Sequence, residues 1–281
     1  MIKARPNLAL PNFPLRGGYF MQLYFIRHAQ SCNNALYRLT SSYSGRSEDP
    51  DLTELGFRQA EKLAEFVSGG REMGFPGKPE PTADGLGLTH LYTSLMLRAI
   101  STAQHLARQT GLPLIAWRDL HEGGGIYQFD PETGEPTGLP GKPRSYFSGR
   151  FPELELPEEL DETGWWNRPY ESRRERQVRA QGVLTELLRR HGSHGHRVGL
   201  ISHGGFYNHF LSALLNLQDG GAQPSPEAIQ SEIDENMILG SDYTIWFSLS
   251  NTAITRIDFE PGDVRIRYQN RVDHLIPELI S

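Results

Sequence analysis

Short apolar strands alternating with amphipathic helices predict an α/β fold for this 281-residue chain. The expected form is a three-layer sandwich: a mostly parallel central sheet, helices on both faces, and loop-rich insertions over the carboxyl ends of the strands. Two further observations shape that expectation. The length suits one large domain with insertions better than two domains. Glycine and proline make up 48 of the 281 residues, about 17%, against an average near 12%, so much of the chain must be loop.

The elements follow in order. Residues 1–20 carry Lys3, Arg5 and Arg16 with no acid, and Pro6, Pro11 and Pro14 break any helix or continuous apolar run, so this is an N-terminal extension and not a targeting signal. Met21, just before the first strand, is a second candidate start of translation, and residues 21–281 form the expected α/β domain. Leu23–Ile26 is a short buried strand that runs into Arg27-His28. Thr53 caps a helix whose Ala60, Leu63, Ala64 and Val67 keep helical spacing until Gly69-Gly70. A loop over 69–87 leads to a strand at Leu88–Thr93, a helix at Leu97–Thr110 closed by Gly111, and a strand at Leu112–Ala116.

Residues 121–170 read as an insertion, with 15 Gly or Pro in 50 positions. Next comes a helix at Glu171–His191, with Ala180, Leu184, Leu187 and Leu188 on one stripe and Arg173, Arg174, Arg176 and Arg179 on a solvated face. Val198–Ser202 is a buried strand and Gly205–Leu217 a helix, and 218–242 is a second insertion without a basic residue. Tyr243–Ser250, Ala253–Phe259 and Val264–Tyr268 close the chain as strands at the sheet edge.

Composition narrows the function. No window approaches the ~20 apolar residues a membrane span needs. A net charge of −6 argues against a broad nucleic-acid or anionic-membrane surface. A single cysteine, Cys32, makes neither an internal disulfide nor a thiolate cluster and fits a reducing, cytoplasmic setting. Anion binding must therefore come from a local convergence of arginines. Three strands end at groups suited to it: Ile26 before Arg27-His28, Thr93-Ser94 leading to Arg98, and Ser202 before His203-Gly204-Gly205. In open α/β sheets ligands bind at the carboxyl ends of strands, so these three points can form one site.

These residues also carry a family resemblance. Arg27-His28-Ala29-Gln30-Ser31, with Asn34 beyond, resembles the Arg-His-Gly-Glu-Ser motif of the histidine phosphatase superfamily, the phosphoglycerate-mutase-like proteins. Asp51-Leu52-Thr53-Glu54-Leu55-Gly56 with Gln59-Ala60 resembles its helix-opening signature, and Ser94 to Ala99 with Thr102-Ala103 its second arginine motif. Glu122 falls where the family places its acid, and Ser202-His203-Gly204-Gly205 resembles the last motif. The likeness covers about residues 21–215 in order.

The resemblance implies that His28 is a nucleophile forming a phosphohistidine, Glu122 the general acid and later base, and His203 a third catalytic residue. It also implies that Arg27, Arg98 and Asn34 hold phosphate, with Asp51 and Glu48 as reserve acids. Arginine suits the task because its planar fork meets phosphate oxygens bidentately and stays charged. Two departures stand out: Ala29 replaces glycine, which is harmless unless its φ is positive, and Gln30 replaces glutamate. The arginine- and tyrosine-rich motif of true mutases is absent; here the chain reads Gly123-Gly124-Gly125-Ile126-Tyr127.

The expectation is thus a metal-independent phosphomonoesterase acting on a small phosphorylated metabolite, without cofactor, nucleic-acid or membrane partner, and compatible with a homodimer. Alternatives are phosphoglycerate-mutase-type transfer and a catalytically silent phosphate-binding module. Three secondary readings accompany it. His191, His194 and His196 belong to a solvated glycine turn and Cys32 is a bystander. Arg144, Arg150 or Arg168 reaches a second anionic group. Tyr127, Phe129, Trp165 and Trp166 suggest an apolar or ring-bearing leaving group, or packing for a helix-poor loop.

Overall fold

The computed structural model describes residues 20–42, 44–69, 85–218 and 246–281. The second insertion at 218–242 and all but the last residue of the N-terminal extension fall essentially outside them. The central sheet grows from β1 (Met21–Arg27), whose neighbour β7 (Arg197–Ser202) runs parallel to it with Arg27 opposite Ser202. Beyond β7 lie β2 (His90–Thr93), β3 (Leu114–Ala116) and β6 (Leu154–Glu155), all parallel. On the other side of β1, β8 (Ile254–Glu260) and β9 (Asp263–Arg271) add antiparallel strands. The order β6-β3-β2-β7-β1-β8-β9 matches the expected mostly parallel sheet with its antiparallel edge.

Strands buried on both faces read as near-continuous apolar runs, and β1 shows why. Tyr24 and Ile26 enter one core, with Leu63 of α2 (Glu54–Val67) and Ala103 and Leu106 of α3 (Leu97–Thr110). Leu23 and Phe25 enter the other, with Leu184 and Leu187 of α5 (Arg173–His191) and Phe206 and Phe210 of α6 (Gly204–Gln218). The period of two along one strand thus divides the molecule into three layers. Each fully buried large aliphatic side chain contributes roughly 1.5–3 kcal/mol.

The local signals act where the sequence places them. Thr53 accepts a hydrogen bond from Gly56 N and starts α2, and Gly111, at φ +71°, ends α3 in the left-handed conformation. α5 begins two residues after the expected Glu171, at a capping box formed by Ser172 and Glu175.

One element was not assigned from the sequence and one expectation needs correction. A helix α1 (Cys32–Thr40) follows the first motif, opened by a capping box of Ser31 and Asn34; it buries no residue, so no apolar stripe announced it. Residues 246–250 are not a strand: Phe247 N donates to Asn208 Oδ1 at 2.8 Å and Asn208 Nδ2 donates to Phe247 O at 3.2 Å, so a side chain of α6 takes the place of a neighbouring strand. The rest of that expected strand, Tyr243–Ile245, lies outside the described residues.

The 121–170 insertion holds a hairpin of β4 (Tyr127–Phe129) and β5 (Pro136–Gly138) and a short helix α4 (Arg144–Arg150). It is anchored by buried Phe147, Leu160, Trp165 and Trp166. The two tryptophans therefore pack the insertion and do not contact ligand space.

Gly56 shows how tightly α2 meets the loop after β1. A Cβ there would stand 2.1 Å from the backbone oxygen of Gln30. Overpacking against backbone costs about 1–3 kcal/mol or more. Gly56→Ala is expected to lower the urea midpoint accordingly, while Gly149→Ala, where a Cβ meets nothing among the described residues within 4 Å, leaves stability within about 0.5 kcal/mol of the parent.

Candidate active site

The carboxyl ends of β1, β7 and β2 are adjacent, and His28, His203 and Ser94 follow them directly. His28 is buried. Its Nδ1 lies 2.7 Å from the carbonyl oxygen of Ala29, which can only accept, so Nδ1 carries the ring proton. Its Nε2 lies 3.2 Å from Nε of Arg98, which can only donate, so Nε2 carries the lone pair. Burial first, then the charges of Arg98 and Arg27, hold this imidazole well below its ordinary pKa, and it stays neutral. Ala29 is not among the residues with positive φ, so alanine fits this turn without strain.

The loop bearing His28 is bonded from several directions. Ala29 N donates to Thr102 Oγ1 at 3.0 Å, and Gln30 N donates to Gln59 Oε1 at 2.8 Å. Asn251 Nδ2 donates to the carbonyl of His28 at 3.0 Å. The helix-opening signature thus works structurally: Thr53, Gly56 and Gln59 hold the loop from α2.

Arg98 is buried at the start of α3, with Asp49 Oδ1 4.0 Å from its Nη1. Burial pushes the Asp49 carboxyl up to about 6 against the opposing pull of Arg98. His203 stacks obliquely on His28 at 5.1 Å between ring centroids, and its Nε2 lies 2.8 Å from Ser94 Oγ. Its buried Nδ1 has no hydrogen-bond partner among the described residues. With the Ser94 hydroxyl donating to Nε2, Nδ1 carries a proton to offer an anion. Burial and Arg98 keep this ring neutral too. Arg27 donates from Nη1 to the carbonyl of Leu249 and lines the same cavity.

Glu122 enters from the insertion. Its carboxylate accepts from Gly123 N at 2.8 Å, Gly205 N at 3.0 Å and Phe206 N at 2.8 Å, so it sits on the amino end of α6. A Cβ at position 205 would come within 2.4 Å of Oε1, which is why Gly205 stands there. Behind Glu122, Arg179 pairs with Glu171 at 2.6 Å and donates to the carbonyls of Asp119 and His121 at 2.7 and 2.9 Å. Arg179 is therefore buried and not part of a solvated face.

A cavity of about 780 Å³ is lined by Arg27, Arg98, Glu122 and Asn34, while His28 and His203 are buried and are not among its lining residues. Asn34 is also the capping-box partner of Ser31 at the start of α1, with Oδ1 accepting from Ser31 N and Asn251 Nδ2, both at 3.2 Å. Of the arginines proposed for a second anion, none lines this cavity. Arg144 bonds the carbonyl of Leu160, Arg150 pairs with Asp51, and Arg168 lies over the ring of Trp166.

The cavity instead takes Arg38, Arg46 and Arg176. Arg46 covers the Tyr127 ring at 4.1 Å and Arg176 donates to Tyr170 OH at 2.7 Å. Neither reserve acid lines it: Asp51 is held by Ser101, Arg150 and Leu52 N, and Glu48 is half-buried outside the lining. Cys32 is exposed, with its Sγ beside the carbonyl of Leu52. The solvated-turn reading fails for His191, which is buried and bonded through Nε2 to Tyr92 OH at 3.0 Å, at the opposite end of the sheet.

A family profile, histidine phosphatase superfamily (branch 1), matches residues 23–75 and 80–224. The chain belongs to the histidine phosphatase superfamily. No curated protein sequence matches it. Among solved structures it is similar to the phosphoserine phosphatase of Entamoeba histolytica in complex with 3-phosphoglyceric acid. That pair shows 19% identity and a TM-score of 0.50, covering 91% of this chain and all of the other. It is also similar to the mycobacterial glucosyl-3-phosphoglycerate phosphatase with inorganic phosphate, at 18% identity and a TM-score of 0.49, covering 91% of this chain and 99% of the other. At 19% identity the first of these likenesses speaks for the fold alone.

Buried neutral imidazoles make this superfamily member sensitive to acid. In the unfolded chain they bind protons near pH 6.5. In the folded chain His28, His121 and His203 stay neutral well below that, and burial holds His191, His209 and His274 down to about 4. The unfolded state therefore binds more protons as pH falls below about 6.5, so stability is full above that value and is lost below it. Asp49, at about 6, acts the other way but is one group against six. Each silent imidazole is worth up to about 1.4 kcal/mol per pH unit. Urea unfolding is expected to show a loss of more than about 2 kcal/mol between pH 7 and pH 5.5; a flat profile contradicts the neutral assignment.

Proposed function

We propose that the chain is a phosphomonoesterase working through a phosphohistidine at Nε2 of His28. The observation that carries this reading is the fixed tautomer: one ring proton held on Nδ1 by Ala29 O, and a lone pair on Nε2 beside Arg98. In the Michaelis complex the Arg98 Nε–H exchanges Nε2 for a phosphate oxygen, freeing the lone pair. Nε2 then attacks phosphorus, the bond to the leaving oxygen breaks, and Glu122 delivers a proton to that oxygen.

Arg27, Arg98 and the Nδ1–H of His203 stabilise the charge on the non-bridging oxygens, with Asn34 at the cavity wall. In the second half Glu122 takes a proton from water, the water oxygen attacks phosphorus, and the P–N bond breaks with its electron pair returning to Nε2. No step calls for a metal.

The rim supports a small phosphorylated metabolite whose leaving group carries a ring or a second anionic group. Tyr127 and Phe129 offer aromatic surface, and Arg38, Arg46 and Arg176 offer charge. Transfer between phosphoglycerates is the competing reading. It is distinguished by whether phosphate passes to water or to a second acceptor.

His28→Ala is expected to abolish release of phosphate from an aryl phosphate, with labelled phosphate trapped as an acid-labile adduct in the parent and absent in the variant. Retained turnover in that variant overturns the mechanism. Glu122→Gln is expected to lower kcat by about 10²–10⁴ for a poor leaving group and much less for an activated aryl ester. Arg98→Ala should lower kcat/KM by about 10²–10³, and chelators should leave the rate unchanged.

A further inference from the structure

At the amino end of the sheet, far from the carboxyl ends that carry His28, three histidines converge from three elements. His90 opens β2, His191 ends α5, and His196 directly precedes β7. One ring nitrogen from each lies within 4.8 Å of the other two. The ring centroids are 4.6 Å apart for His90 and His191, 4.3 Å for His90 and His196, and 5.2 Å for His191 and His196. The backbones behind them are fixed: β2 and β7 are hydrogen-bonded neighbours with His90 opposite Val198, and Thr89 N donates to Arg197 O at 2.8 Å.

The remaining ring nitrogens already have partners of the kind that orient metal-binding histidines. Tyr92 OH lies 3.0 Å from Nε2 of His191, and Thr89 Oγ1 lies 2.9 Å from Nδ1 of His90. That leaves Nδ1 of His191 and Nε2 of His90 as the ligating atoms. Nδ1 of His191 and Nδ1 of His196 share one proton at 2.9 Å, a contact that an ion would replace. Zinc–nitrogen bonds of about 2.0–2.1 Å in tetrahedral geometry place ligand nitrogens about 3.3–3.4 Å apart. The observed spacing, from 2.9 Å up to the 4.8 Å limit, brackets that value.

We propose that His90, His191 and His196 form a binding site for a divalent transition-metal ion of the zinc class, which cross-links β2, β7 and α5. Three imidazoles without a carboxylate favour such an ion over calcium or magnesium, which prefer oxygen ligands. His191 is buried while His90 and His196 are partly exposed, so the site opens to water, which supplies the fourth ligand. His194 stacks flat on His196, with 5.0 Å between centroids and 14° between planes, and steadies that ring. Arg190, which directly precedes His191, is paired with Glu186 at 2.6 Å and lies over Trp117.

The test uses the full chain without a polyhistidine tag, stripped with chelator and titrated with zinc chloride. One zinc ion per chain should bind and raise the thermal midpoint by several degrees, and chelator should reverse the shift. Cobalt chloride in place of zinc should give the visible absorption of a tetrahedral site. His90→Ala and His196→Ala, at partly exposed positions, should each weaken zinc binding at least tenfold while aryl phosphate turnover stays at the parent level. Zinc binding that persists in both variants, or no binding at micromolar zinc in the parent, overturns the site. Turnover read in the same samples keeps that outcome separate from any failure of the phosphatase reading.

Discussion

The hydrogen bond from His28 Nδ1 to the carbonyl of Ala29 decides what the rest of the molecule can do. An imidazole free to exchange its proton between nitrogens presents an acid and a base in turn; this one presents only a base. Holding that carbonyl in place is the work of distant parts of the chain. Thr102 of α3 accepts from Ala29 N, Gln59 of α2 accepts from Gln30 N, and Asn251, in the stretch before β8, donates to the carbonyl of His28. Gln59 in turn is anchored by Leu279 O and Ser281 Oγ near the other end of the sequence. The three-layer architecture is, at this point, a frame around one proton.

Electrostatics and topology reinforce each other here. Three adjacent parallel strands deliver His28, Ser94 and His203 to one level, so two imidazoles and two arginines are crowded where burial already opposes charge on the rings. The same crowding that keeps the histidines neutral makes the spot attractive to an anion. Glu122 is kept apart from this crowd, docked on the amino end of α6 and backed by the Arg179–Glu171 pair. The imidazole and the carboxylate therefore come from different elements, the end of β1 and the 121–170 insertion.

Much of this was legible in the sequence because it was local. Strand ends announced Arg27-His28 and Ser202-His203 by an abrupt change from apolar to polar, and Gly111 marked the close of α3. What stayed hidden was set by distance along the chain. Nothing near Asn251 or Gln59 tells that they serve a histidine more than 30 residues away. Helix α1 buries no side chain and so carried no apolar stripe. Arg176 and Arg179 sit among charges typical of a solvated face, and only the packing of α5 against the 119–123 segment turns them inward. The histidine trio was masked for the same reason, since His90 lies 101 residues before His191 in sequence.

The glycines at 124 and 125 have positive φ, and a Cβ on them would run into the rings of Tyr170 and Tyr127 or of Trp166, within 2.2–2.8 Å. That stretch is closed to mutation from within, because its backbone is where aromatic side chains from elsewhere come to rest. Divergence toward new substrates must therefore proceed by exchanging the rings and arginines that surround the glycines. A lineage of such proteins would keep this glycine pair unchanged while its selectivity drifted, residue by residue, along Arg38, Arg46, Tyr127, Phe129 and Arg176.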